Sequence, residues 1–338
     1  MNNWIEHDTE ADDIVISSKV CLIRNFKDSL FTDKIKVEEA RDNVDRVFSI
    51  LSSKDIGEEL TLVKLWETDS DIINIYLEKQ LITKELIKRR EKSAFIVNKA
   101  ETLSIMINEE DNLRIQCIVG GLNLKEAYDY IDKIDNYIEE DISYAFSEDL
   151  GYLTSSISNV GTGFKASVML HLPAITIKDE FKNIADGLTK VGMNIESLYV
   201  EDGKAVGNIY EVSNQLTLGV KEDDVIQNLE GIIDNIITEE RNFRELFDKK
   251  HKYELEDKIF RAYGILKNAR LLKSKETLEL LSYVRLGIEM SLFEIKKSIL
   301  NKLQVNTRKL VIKTSLVEDS DTIQEELYRA KIVKDILI

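Results

Sequence analysis

The segment GTGFKAS, from Gly161 to Ser167, combines two closely spaced glycines with Lys165, residue types that can hold a phosphate group. Glycines let backbone N–H groups approach an anion, and a lysine adds a positive charge. The spacing G-x-x-x-x-G-K-[ST] of a Walker loop is absent, and the residues that follow alternate like a strand, whereas a Walker loop continues into a helix. On these residues alone, a plain turn between strands is favoured over a phosphate site.

Cysteines and histidines are few and scattered, which excludes several other chemistries. Cys21 and Cys117 are too few for a disulfide framework and too far apart for a C-x-x-C metal site. The three histidines, His7, His171 and His251, are equally dispersed. The sequence therefore predicts no zinc site, histidines that are structural or exposed, and a protein of the reducing cytoplasm.

The charge balance bears on the class of partner. The chain of 338 residues carries 46 Lys and Arg against 62 Asp and Glu, a formal net charge of -16. This charge opposes binding to the phosphate backbone of nucleic acids. The first thirty residues lack the apolar stretch of a secretion signal, and no run of 18 apolar residues occurs. We expect no direct nucleic-acid partner and no membrane association.

The elements that must position the glycine segment mix strands and helices. Strand patterns cover 13–23, two strands around an acidic turn within 103–119, and strands with an intervening polar turn within 205–219. Helix patterns cover 36–53, 124–145 and 175–193. Because these elements do not alternate in regular βαβ fashion, an antiparallel sheet with helices to one side is favoured over a parallel sheet.

From about Lys221 onward every segment follows a helical pattern, typical of a helical domain. We place the boundary near Thr238, which gives a domain of 1–237 and a helical domain of 238–338. The fold class is thus α+β, an antiparallel sheet flanked by helices and followed by an all-helical C-terminal domain.

Several segments together resemble one known family. INEEDNLRIQCI (107–118), LGYLTSSISNVGTGFKASVMLHLP (150–173) and RAYGILKNARLLKSKETLELLSYVRLGI (261–288) resemble, in this order and spacing, the ATP:guanido phosphotransferases. The resemblance is greatest to the bacterial protein-arginine kinases, which AVGNIYEVSNQLTLG (205–219) also matches. It implies a sheet domain that holds the active site and a helical domain that serves dimerisation and phosphoarginine sensing.

The chemistry implied by this resemblance is transfer of the γ-phosphoryl group of ATP, with Mg²⁺, to a guanidinium nitrogen. Its loose, in-line transition state leaves the protein to position the reactants and stabilise charge. The resemblance assigns Glu110 and Glu201 to the guanidinium. It assigns the nucleotide to Ser18, Lys19, Val20, Cys21, Leu22, Arg114, Lys165, Ala166, Ser167, Val168, Met169 and Glu196. The alternative for Glu110 is an ordinary solvated acidic turn with its neighbours.

The sequence departs from the family at the arginines that hold phosphates. Lys19 and Cys21 replace the arginines of an S-x-R-x-R strand, Lys165 replaces a third, and Glu196 replaces the arginine of a V-R-G motif, whereas Arg114 is kept. Lysine preserves the charge but loses the two-pronged hydrogen bond, and a glutamate facing the polyphosphate repels it.

The last helix departs similarly, because EELYRA (325–330) stands where the bacterial branch has R-D-x-x-R-A. Arg329 is then either a phosphoarginine-sensing residue or an ordinary charge on the helix surface.

Two functions follow from these residues. The first is a cytoplasmic protein-arginine kinase that phosphorylates proteins with exposed arginines, as a homodimer, with an activator protein, in bacterial stress response. The second is a kinase-derived interaction protein that keeps the arginine-binding carboxylates without catalysis. A small-guanidine kinase is disfavoured because the helical domain of those enzymes precedes the sheet.

Overall fold

The structure, a computed structural model, describes residues 2–8, 13–316 and 321–337. Its strands are β1 Val15–Arg24, β2 Leu60–Lys64, β3 Ala94–Asn98, β4 Leu103–Ile107, β5 Leu113–Gly120, β6 Phe146–Ser147, β7 Gly151–Tyr152, β8 Phe164–His171, β9 Met193–Ser197, β10 Val200–Glu201, β11 Lys204–Ala205 and β12 Ile209–Asn214. Its helices are α1 Val37–Ser53, α2 Ser70–Glu78, α3 Lys84–Lys88, α4 Leu124–Glu139, α5 Pro173–Ile177, α6 Phe181–Lys190, α7 Glu222–Asn268, α8 Ser274–Glu289, α9 Lys297–Asn306, α10 Lys309–Thr314 and α11 Thr322–Leu337.

Eight strands form one sheet in the order β2-β3-β4-β5-β1-β8-β12-β9. Every neighbouring pair is antiparallel, which confirms the predicted fold class. In the central strands Lys19 lies opposite Ser167, and Cys21 lies between Gln116 and Lys165. Because side chains alternate between the two faces of a strand, this register gathers these polar residues on one face.

The opposite face of the sheet is apolar and is covered by helices. The apolar residues of the predicted helix 124–145 recur at spacings of three and four and form a stripe that is buried in the core with Val20, Leu22, Ala166 and Val168. The stripe consists of Leu124, Ala127, Ile131, Ile134, Ile138 and Ile142. Helix α4 ends at Glu139, before the predicted residue 145, and Ile142 of the stripe packs from the following turn. This packing fixes the orientation of β1 and β8, and hence the direction of their polar side chains.

The segment 205–219 contains less strand than its alternation predicts. The strand ends at Asn214, whose side-chain amide donates to the carbonyls of Phe164 (3.1 Å) and Leu216 (2.9 Å). These hydrogen bonds draw the chain away from the ladder, so the prediction of strand for 215–219 is wrong.

The C-terminal third is helical from α7 onward, as predicted. The predicted boundary between residues 237 and 238 lies inside α7, which is interrupted only at His251, where φ and ψ are -136° and 29°. Helices α8 and α9 return to the sheet, because Leu278 and Val305 pack with Met106, Ile118 and Met169 in one apolar cluster. Within the described residues, no helix is long and apolar enough to span a membrane.

Candidate active site

Three side chains of the central strands make the polar face of the sheet cationic, and Cys21 lies among them. Lys19 and Cys21 project from β1, Arg114 from β5 and Lys165 from β8. Arg114 donates from Nη2 to the Cys21 sulfur at 3.5 Å, and Lys165 Nζ donates to the Gln215 carbonyl at 3.3 Å. Burial, followed by the charge of Arg114, lowers the pKa of Lys165. Such a cluster of partly buried cations favours an anionic ligand.

One N–H group of the Arg114 guanidinium is available to a ligand. Its Nε is buried and has no hydrogen-bond partner among the described residues. Burial opposes its charge, but Cys21 and Glu109 together raise the pKa of Arg114 above its usual value. Because an unpaired buried donor is costly, this nitrogen is suited to an acceptor that arrives with a ligand, and phosphate oxygens fit that requirement.

Glu211 of β12 belongs to this face, although the sequence interpretation missed it. Its Oε1 lies 2.5 Å from Lys19 Nζ and accepts a hydrogen bond of 2.6 Å from Ser167 Oγ. Burial alone would raise the pKa of Glu211, but the charge and hydrogen bond of Lys19 and the hydroxyl of Ser167 hold it below its usual value. The sequence could have indicated Glu211, because a charged residue in the middle of a predicted strand is unusual.

The remaining nucleotide candidates lie elsewhere. Val20, Leu22, Ala166 and Val168 point into the core on the other face of the sheet, as described above. Central strands use their backbone N–H and C=O groups in ladders with both neighbours, except that the Ala166 N–H donates to Asn214 Oδ1 at 2.7 Å. For these four residues, therefore, neither the side chain nor the ladder-bonded backbone reaches the cationic face.

Three further candidates lie apart from the centre of the cationic face, and Ser18 lies on the helix-covered face with Val20 and Leu22. The Ser18 hydroxyl donates to the Gly121 carbonyl at 2.7 Å and holds the chain at the start of α4. Met169 packs in the apolar cluster beneath α8 and α9. Glu196 is exposed on edge strand β9, where its Oε1 accepts from the Asn194 amide at 2.6 Å. In register Glu196 lies opposite Glu211.

The acidic turn between β4 and β5 is an ordered carboxylate cluster. Glu109 and Asp111 are buried, and they accept hydrogen bonds of 2.6 Å from Thr83 Oγ1 and from the Ser155 amide, respectively. Glu110 is half-buried, and its carbonyl accepts from Ser155 Oγ at 3.1 Å. The turn is therefore ordered and largely buried, whereas the role of Glu110 in binding an acceptor stays a prediction.

Glu110 is partly exposed and has a raised pKa. Burial, followed by the negative charges of Asp111 and Glu109, raises the pKa of Glu110 above its usual value. A carboxylate with a raised pKa is a stronger base than an exposed one and benefits from a cation placed beside it. The turn thus has the chemistry required to bind a guanidinium.

Glu201 lies next to the turn of a separate hairpin, β10–β11, where it is opposite Lys204 in the strand register. Its Oε1 accepts a hydrogen bond of 2.6 Å from Ser274 Oγ and lies 3.7 Å from Arg308 Nη1. Both partners belong to the helical region, so the structure joins Glu201 to that region rather than to the acidic turn.

Arg329 is only 2 % exposed, so its interpretation as a surface charge is wrong. Its Nε donates to the Thr307 carbonyl and its Nη1 to the Leu272 carbonyl, both at 2.8 Å. Burial lowers the pKa of Arg329. These contacts give the residue a structural role between the helices.

Comparison with known families divides the chain into two parts. Residues 42–243 match the model described as ATP:guanido phosphotransferase, C-terminal catalytic domain. Residues 252–338 match the model described as protein-arginine kinase McsB C-terminal domain. The interval between the two matches ends at His251, where α7 departs from helical geometry.

Individual proteins match over the whole chain. A protein-arginine kinase of Clostridium botulinum is 49% identical over 100% of this chain and 99% of its own length, and one of Clostridium novyi is 48% identical over 99% and 98%.

Solved structures of guanidino kinases share the fold. Lombricine kinase superposes with a TM-score of 0.61 at 21% identity, covering 71% of this chain and 69% of its own. The duplicated taurocyamine kinase of Schistosoma mansoni superposes with a TM-score of 0.63 at 23% identity, covering 72% and 35%.

Proposed function

Because the chain belongs to the ATP:guanido phosphotransferase family, we propose that it is a protein-arginine kinase, which transfers the γ-phosphoryl group of ATP to arginine side chains of proteins. The observation that carries this proposal is the junction of two opposite charge clusters on one hairpin. The carboxylates of the acidic turn directly precede β5, whose Arg114 belongs to the cationic cluster and is influenced electrostatically by Glu109. A phosphate donor and a guanidinium acceptor require this pairing of charges.

The roles of the side chains follow from that junction. Lys19, Arg114 and Lys165 bind the phosphates, with the unpaired Nε of Arg114 as one donor. When bound with the nucleotide, Mg²⁺ would neutralise part of the phosphate charge. Glu110 orients the acceptor guanidinium and accepts its proton, and Glu201 is the second carboxylate of the acceptor site. The exposed Glu196 takes no part in binding phosphate.

We extend the proposal to self-association through α7. Beyond the break at His251, this helix exposes Tyr253 and Phe260, which are 83% and 51% exposed and lie seven residues apart. Exposed apolar residues at a helical repeat are typical of surfaces that pair with a second helix. The proposal therefore includes a homodimer in the bacterial cytoplasm, acting on proteins with exposed arginines in stress response, together with an activator protein.

The test is incubation of the full chain with MgATP and an arginine-rich protein such as protamine, followed by detection of acid-labile phosphate on arginine. The assay is run with the protein alone and with extract of its own cells as a source of activator. Steady labelling of arginine supports the kinase. Absence of label under both conditions overturns it and favours the interaction protein without catalysis.

A further inference from the structure

The hairpin that carries Glu201 has little intrinsic support. Its strands contain two residues each, and its turn places Asp202 and Gly203 at φ values of 53° and 73°. Lys204 and Ala205 on its second strand are exposed. Because isolated two-stranded hairpins are marginally stable in water, the orientation of the Glu201 carboxylate depends on contacts from outside the hairpin.

Those contacts come from two points of the helical region. Ser274 is the first residue of α8, and its hydroxyl donates to Glu201 Oε1. Arg308 precedes α10, and its buried Nη1 lies at ion-pair distance from the same oxygen. Within the part of the chain that the structure describes, this nitrogen makes no hydrogen bond. The guanidinium is held from its other side, since Nε donates to Glu78 Oε2 at 3.2 Å and its carbon lies 4.5 Å from the centre of the Tyr199 ring.

Arg329 of α11 links the two segments that carry Ser274 and Arg308. One of its hydrogen bonds goes to the carbonyl of Thr307, the residue before Arg308, and the other to the carbonyl of Leu272, two residues before Ser274. A single buried side chain therefore fixes the spacing of the two segments that hold Glu201. The geometry makes the carboxylate position depend on three helices of the C-terminal region.

We infer that Ser274 and Arg308 are positioning residues for Glu201, so that the helical region completes the acceptor site of the sheet domain. The inference rests on the proposed role of Glu201 in binding the acceptor. A carboxylate held by one hydrogen bond and one ion pair binds a guanidinium without first being ordered, which lowers the entropic cost of the reactive geometry. Arg329 supports the arrangement without touching Glu201.

The test uses the full-length variants Arg308→Ala, Arg308→Lys and Ser274→Ala in the arginine phosphorylation assay. Arg308→Ala should lower kcat/KM for protamine about 10- to 100-fold and Ser274→Ala about 3- to 10-fold, with the ATP Kd from calorimetry unchanged. Arg308→Lys should recover part of the loss, because the charge remains near Glu201. Lys302→Ala is the matched control, since it removes the 2.9 Å ion pair between α9 and Glu6 without touching the hairpin.

A double-mutant cycle separates positioning from general stability. If Arg308 acts through Glu201, the pair Glu201→Gln and Arg308→Ala should be no slower than Glu201→Gln alone. Additive losses would overturn the inference, and so would full activity of both Arg308→Ala and Ser274→Ala. If Arg308→Ala fails to fold, as judged by thermal melting, Ser274→Ala and Arg308→Lys carry the test by the same cycle.

The activity of Glu201→Gln distinguishes a failure of the positioning role from a failure of the acceptor assignment. Loss of phosphorylation in Glu201→Gln with normal activity in the Arg308 and Ser274 variants overturns only the positioning role. Normal activity of Glu201→Gln overturns the assignment of Glu201 to the acceptor, on which this inference rests.

Discussion

Lys19 of the cationic face is already paired, because its Nζ lies 2.5 Å from the carboxylate of Glu211. The same carboxylate oxygen accepts from Ser167. A phosphate group that binds Lys19 must therefore displace an internal anion or share the lysine with it. The cost of this exchange adds to the loss of the two-pronged arginine contact at position 19.

Neutralising this internal competitor should strengthen nucleotide binding. In Glu211→Gln the amide keeps a hydrogen bond to Ser167, while Lys19 loses its counter-charge and the phosphates lose a repulsive neighbour. We expect the ATP Kd to fall about 3- to 30-fold, measured by calorimetry. Glu196→Gln is the control, because this side chain is exposed and its charge is screened by solvent. An unchanged or weaker ATP affinity in Glu211→Gln would show that Glu211 does not compete with phosphate.

The same pair predicts a pH dependence of stability. The folded-state pKa of Glu211 lies below its ordinary value of about 4.5, so its contribution is fully present above that value and is lost as the pH falls through the folded pKa. Wild-type protein should therefore lose stability on acidification more steeply than Glu211→Gln in this window. Urea unfolding at a series of pH values measures the difference, and parallel curves for the two proteins would contradict it.

Glu110 should control the chemical step. Glu110→Gln keeps the shape of the side chain but cannot hold a cation as strongly or accept a proton, so phosphorylation should be lost while the ATP Kd stays within about twofold. In the wild type, the rate should rise with pH through the raised pKa of Glu110. Glu109→Gln removes one of the charges that raise it, so the rise should shift to lower pH. Retained activity in Glu110→Gln would remove Glu110 from the acceptor site.

The elements and the acidic turn could be predicted from sequence because their signals are local. Alternation identified β1, β4, β5 and β8, and the family motifs placed Glu110 and Arg114 on neighbouring positions of one hairpin. Glu211 was missed because its partner Lys19 is distant in sequence, and only the shared neighbour β8 brings their strands together.

The boundary predicted near residue 238 falls inside α7 and stays a prediction. The helical pattern runs without interruption through α7, and the departure from helical geometry at His251 coincides with no proline or glycine. The contact between Glu201 and Arg308 was likewise not predictable, because it arises from packing between distant elements.

Restoring an arginine on β1 tests the orientation of the cationic face. Cys21 is buried, with Arg114 beside it and Lys165 opposite it in register. Cys21→Arg should therefore lower the Tm of the free protein through crowding and like-charge repulsion, yet enlarge the rise in Tm caused by saturating MgATP. Cys21→Ser, which adds no charge, should not enlarge that rise. A ligand-induced shift in Cys21→Arg no larger than that of the wild type would show that position 21 does not face the phosphates.

Self-association through α7 can be separated from folding because Tyr253 is 83% exposed within the protomer. Tyr253→Asp should leave the Tm nearly unchanged at low concentration, since little intramolecular packing is lost, but should weaken the dimer at least about tenfold by placing a charge in an apolar contact. Sedimentation at micromolar concentration measures the effect. Ile323→Asp is the matched control, because Ile323 is an exposed apolar residue of α11 outside that surface. A wild-type protein that sediments as a monomer, or a Tyr253→Asp variant that dimerises like the wild type, would exclude this face of α7 as the interface.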